Sequence, residues 1–153
     1  MSDLATATTD FLAKVESYAH GQAARFSPVL DELIRWSQGR GLEFVGPSRS
    51  LHAVTFRIPG AGSYFWTVRP RTGDGAKFGL LTDAGYQLPV GMLEEACREM
   101  NRICGSKDET KTAPEVPFTT LIWEPYRVRV LALMERLLAA MTSQNSPPAQ
   151  ASV

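Results

Sequence analysis

The chain has 153 residues, with 16 basic and 16 acidic side chains, no formal net charge and a pI near 6.7. Apolar residues make up 44% and charged residues 21%, ordinary values for a globular domain. No run approaches the ~20 apolar residues that span a bilayer, and the low pI argues against a dedicated nucleic-acid binder. One domain is expected at this length, large enough to bury about two thirds of its unfolded surface without a metal or disulfide.

In chain order, residues 1–8 read as a disordered N-terminus, 9–142 as a single α+β domain and 143–153 as a disordered tail. Met1 to Asp10 has neither a basic start nor an apolar run, so no signal peptide is read there. Phe11, Leu12, Val15, Tyr18 and Ala19 recur at helical spacing and predict a first helix over about 9–20. A second helix is predicted to begin with Ser27 as N-cap and Pro28 at the first helical position. Leu30, Leu33, Ile34 and Ser37 form its inner stripe, and Gly39 and Gly41 end it.

The period then changes. His52, Val54, Phe56 and Ile58 alternate with Leu51, Ala53, Thr55 and Arg57, and Tyr64, Trp66 and Val68 alternate with Phe65, Thr67 and Arg69. Alternation is the strand signal. The turns fall at Pro59–Gly62 and Arg71–Gly75. With Leu42–Val45 before and Lys77–Thr82 after, a four-stranded antiparallel meander results. A helix follows over Leu93, Ala96, Cys97, Met100, Ile103 and Cys104, stopped by Gly105. Then come a polar loop over Ser106–Pro117, a fifth strand over Phe118–Trp123, and a last helix from Pro125 to about Thr142. The predicted class is a two-layer α+β fold in the order α-α-β-β-β-β-α-β-α.

Two surfaces stand out. Pairing the second and third strands about the Pro59–Gly62 turn sets Val54 against Val68, Phe56 against Trp66 and Ile58 against Tyr64. This register gathers the large apolar side chains on one side. The other side then carries Thr55, Arg57, Phe65, Thr67 and Arg69, joined by Lys77 and by Arg71 at the turn. Residues 40–80 hold Arg40, Arg49, Arg57, Arg69, Arg71 and Lys77 against Glu43 and Asp74, six positive charges to two negative. Arginine pairs phosphate or carboxylate bidentately. Arg57, Phe65, Arg69, Arg71 and Lys77 are therefore the candidate ligand-binding residues, for a nucleic acid, another polyanion or an acidic peptide. A plain solvated sheet face fits the same residues. The last helix is apolar nearly all round, so it is either central or meets a partner. Tyr126 on it and Trp123 just before it are the candidate interaction residues, toward a protein partner or a second copy.

Recognisable catalytic chemistry is sparse. His52 falls on the apolar side of a strand, and His20 sits at a helix C-terminus, where an imidazolium is favoured. Cys97 and Cys104 are about 10 Å apart along a helix, too far for a disulfide. They read as small apolar residues in a reducing compartment, the cytoplasm by default. No zinc spacing occurs, and no cofactor or metal is expected. Ser63 lacks the strand-to-helix context of a nucleophile elbow, and Gly73-Asp74-Gly75 is a hairpin turn, not a dinucleotide fingerprint. Glu43, Asp74 and Lys77 are the one acidic-plus-lysine set near the sheet that a metal-dependent nuclease would need.

The helix over Val29–Phe44 (VLDELIRWSQGRGLEF), the strand Leu51–Ile58 (LHAVTFRI), the aromatic strand Ser63–Arg71 leading to Lys77–Leu81, and Pro117–Leu138 resemble a small bacterial domain of unknown function labelled "predicted transport protein". The likeness covers about half of the chain, which departs from it by the helix around Leu93–Cys104 and a longer polar loop. The resemblance implies a helix–meander–helix layout and a binding or accessory role, without catalytic residues; the transport label gains nothing, because no membrane segment is read in the sequence. Non-catalytic binding is thus the leading expectation. An interaction or homodimer role for the last helix, and a metal-dependent hydrolase, are the alternatives.

Overall fold

The computed structural model describes residues 4–45, 52–60, 64–80, 89–105 and 114–144. Several expectations lie outside them: Arg49, Leu51, the second half of the Pro59–Gly62 turn with Ser63, Leu81–Thr82, most of the Ser106–Pro117 loop, and the tail beyond Gln144.

Two helices open the fold. α1 (Leu4–Tyr18) buries Phe11 and Val15, and α2 (Gln22–Gly39) buries Phe26, Val29, Leu30, Leu33, Ile34 and Ser37. α1 starts at Leu4, inside the stretch expected to be disordered. α2 starts at Gln22, so Ser27 is not its cap and Pro28 lies within the helix. The reason is a cap that local spacing does not show. Gly21 turns the chain at φ 88, and its N–H donates to Glu16 Oε2 at 2.9 Å, while Ala23 N–H donates to Oε1 at 3.4 Å. A carboxylate from α1 thus satisfies orphan donors at the start of α2. Pro28 forfeits one backbone bond there, on an exposed side of the helix.

The sheet follows as β1 (Glu43–Phe44), β2 (Val54–Arg57), β3 (Trp66–Arg71) and β4 (Gly75–Leu80), and β5 (Glu115–Pro117) joins after α3 (Met92–Cys104). Its order is β1-β2-β3-β4-β5, every pair antiparallel. The register is the one the apolar pattern requires, with Val54 opposite Val68 and Phe56 opposite Trp66. Val54, Phe56, Trp66, Val68, Phe78 and Val116 are buried. Trp66 lies between Phe56 (5.2 Å between ring centroids) and Phe78 (5.8 Å). Its indole N–H donates to Ser37 Oγ at 2.7 Å, and Ser37 donates on to Leu33 O, so the one polar atom of this large ring is satisfied inside the core.

Two strand expectations shift. The strand in this region is Glu115–Pro117, within the expected loop, and Phe118–Ile122 is a short 3-10 helix. Phe118 and Leu121 are its buried residues, and a spacing of three is the period of a 3-10 turn, not of a strand. Phe118 packs edge-on against Phe26 at 4.8 Å and Phe11 at 6.2 Å. His52 is exposed at φ 67, ahead of β2, and is no core histidine. α4 (Glu124–Gln144) buries Val130, Leu133, Met134, Leu137 and Met141. No helix among the described residues is long and apolar enough to cross a membrane.

Candidate functional site

The outward face of the sheet is bound up with itself. Thr55 and Thr67, paired across β2 and β3, are 8% and 6% exposed, and their hydroxyls lie 2.8 Å apart. Arg57 donates to Glu43 Oε1 at 2.6 Å, from directly opposite on β1. Arg71 grips Asp74 with two bonds, of 2.8 and 2.6 Å, across its own turn. That bidentate contact, with Glu115 nearby, holds the guanidinium above its already high ordinary pKa. Lys77 pairs with Glu115 at 2.9 Å. Arg69 is exposed and forms no ion pair with the described residues.

Phe65 departs most from expectation. It is fully buried, not outward. Its N–H donates to Phe56 O at 2.7 Å, although Trp66 is the register partner of Phe56. Two residues of one strand thus meet one of the other, as in a bulge, which breaks the alternation of side chains. Phe65 accordingly turns toward α2 and stacks on Trp36, with centroids 6.3 Å apart and planes at 8°. Arg40 lies 4.4 Å over the Trp36 ring. The structure therefore does not bring Arg57, Phe65, Arg69, Arg71 and Lys77 together as a stacking and anion-pairing set.

The acidic-plus-lysine set is divided as well. Glu43, Asp74 and Lys77 are held by three separate partners. No cluster of three His, Cys, Asp or Glu side chains suited to a metal occurs among the described residues. Cys97 and Cys104 are not joined in a disulfide, and the first is buried and the second half-buried.

The other end of the molecule is different. The carbonyl of Trp123 accepts the N–H groups of Tyr126 at 3.1 Å and Arg127 at 3.0 Å, so Trp123 is the hinge between the 3-10 helix and α4. Arg127 fixes that hinge. Its guanidinium donates to the carbonyls of Leu121 (2.9 Å) and Ile122 (3.2 Å) and to Glu32 of α2 (3.1 Å). The backbone is thereby pinned while the Trp123 ring stays 62% exposed, with Tyr126 at 40% and Val128 at 56%. Beside the two rings lies a groove of about 350 Å³, lined by Arg102–Gly105 at the end of α3, by Thr119 and Thr120, and by Trp123 and Tyr126. Glu99 neutralises this rim, accepting from both Arg102 (2.7 Å) and Arg129 (3.2 Å).

The sequence singles out Trp123 and Tyr126. It misses Thr119, Thr120 and the end of α3, whose approach is non-local. Gly105 is the one local trace, since its αL turn at φ 74 ends α3 at the groove. A wider trough of about 760 Å³ between α1 and α2 has Leu4, Ala5, Pro28 and Ile34 along it, with no aromatic anchor among the described residues. Asp31, on its lining, is paired with Arg35. No family model, curated protein or solved structure matches this chain.

Proposed function

We propose that the protein is a non-catalytic interaction module that engages a protein partner through the Trp123–Tyr126 surface, in a reducing, cytoplasmic setting. The observation that carries this reading is a 62% exposed Trp123 on a rigidly hydrogen-bonded hinge beside a groove. Leaving such a ring in water forgoes roughly 1.5–3 kcal/mol of burial, and Trp, Tyr and Arg are the residue types that dominate the energetics of protein interfaces. The groove has all three, in Trp123, Tyr126 and Arg102. The anionic-partner reading of the sheet face is weaker, because Arg57, Arg71 and Lys77 already hold carboxylates. The hydrolase reading finds no convergent acid set among the described residues.

The test is a photo-crosslinking residue placed at Trp123 in cells that make the protein. A discrete adduct is expected there, and none with the same residue at Val90, a still more exposed control. Absence of any adduct at position 123 would reject the reading.

A further inference from the structure

The groove beside Trp123 has a specific hydrogen-bonding character. The Trp123 indole and the Arg102 guanidinium are donors only, and the hydroxyls of Thr119, Thr120 and Tyr126 can each donate. Among the described residues, neither that indole N–H nor any of the three hydroxyls is bonded to a protein group. Arg102 directs an N–H to Glu99. Among the described residues no carboxylate side chain lines the groove, so the acceptors they offer are hydroxyls and the main-chain carbonyls that end α3. Two aromatic faces, three residues apart in the chain, border it.

We infer that this groove takes a proline-rich segment of the protein partner in the polyproline II conformation. The inference rests on reading the Trp123 surface as an interaction site, and adds the chemistry of what docks there. Proline has no N–H, so such a segment offers its carbonyls as acceptors, and the polyproline II helix leaves every one of them unbonded internally. A groove rich in free donors is their complement. Proline rings are flat and apolar, and they seat on exposed aromatic faces. The segment is extended before it binds, so little ordering cost opposes docking in an open groove.

The other common modes of peptide capture fit less well. Strand addition needs a free sheet edge, but β5 lies against α3 and β1 is two residues long. Capture of a phosphorylated or acidic motif needs unengaged arginines, and here Glu99 accepts from both Arg102 and Arg129.

The test titrates a ten-residue polyproline peptide into the full chain by calorimetry, with a Gly-Ser peptide of equal length as control. Saturable binding of the polyproline alone is expected. Trp123→Ala and Tyr126→Ala should each weaken it about tenfold or more, and the paired change Thr119→Val with Thr120→Val should weaken it several-fold. Because Trp123 and Tyr126 are exposed, unchanged thermal melting would confirm that the variants fold, and Arg69→Ala should leave binding unchanged. No saturation at about 1 mM peptide, or equal affinity in the parent and Trp123→Ala, overturns the inference. A persisting crosslink at position 123 would then leave the interaction surface standing with a different class of partner, whereas loss of both signals would remove the surface too.

Discussion

The outward sheet face and the hinge at the start of α4 treat their conspicuous side chains in opposite ways. On the sheet, Arg57, Arg71 and Lys77 are each engaged by a carboxylate of the same chain, and the aromatic residue expected among them is buried against Trp36. At the hinge, the charges are engaged and the aromatic rings are left out: Arg127 and Glu99 are tied into the fold, while Trp123 and Tyr126 face water. A cluster of arginines is thus weak evidence for a ligand until their partners are known. Exposed ion pairs cost and yield little, typically ~0–1 kcal/mol, so they form readily wherever register places opposite charges together. An exposed tryptophan on a fixed backbone has no such cheap internal solution.

Two aromatic residues five positions apart should respond most differently to truncation. Phe118→Ala should cost about 3–5 kcal/mol, because its ring is fully buried between Phe11 and Phe26. Trp123→Ala should stay within ~0.5 kcal/mol of the parent. Chemical denaturation of both variants checks this, and a comparable loss in each would mean that the hinge ring is structural. Gly75→Ala comes next, at about 1–3 kcal/mol. Gly75 sits at φ +103, and a β-carbon there would come 3.0 Å from Phe26 Cε2 and 3.3 Å from Val15 Cγ1. An unshifted melting temperature would deny that α1 and α2 pack closely behind the β3–β4 turn.

Freeing the sheet cations sharpens the contrast from the other side. The triple change Glu43→Gln, Asp74→Asn and Glu115→Gln removes the three carboxylates that hold Arg57, Arg71 and Lys77. It should cost at most ~1 kcal/mol per pair and raise retention on a heparin column well above that of the parent. If the parent already binds heparin as tightly at low salt, the ion pairs do not silence the face. A smaller effect is expected at the α1–α2 corner. The Gly21 N–H bond, aided by the Ala23 N–H and by His20, holds the Glu16 carboxyl below its ordinary pKa. A group depressed on folding contributes stability above its unfolded pKa and loses it as pH falls through the folded value. Stability should therefore decline below the ordinary carboxylate range, and Glu16→Gln should flatten that decline in acid melts. Arg69→Ala should change stability least, within ~0.5 kcal/mol, since Arg69 is exposed and makes no ion pair with the described residues.

Residue spacing along the chain already specifies the α+β order, the antiparallel meander and the Val54–Val68 and Phe56–Trp66 register. Period-2 alternation with large apolar residues on one side admits only one pairing that buries them. The sequence also singles out Trp123 and Tyr126, where the chain enters a helix with too many apolar sides. Tertiary structure alone decided the rest. The cap on α2 comes from Glu16 on another helix, and a doubled contact at Phe56 turned Phe65 inward. Glu115 reached Lys77 from a segment that composition marked as loop, and the end of α3 closed one wall of the groove. Each of these depends on groups distant in the chain meeting in space, and no local period or propensity encodes such a meeting.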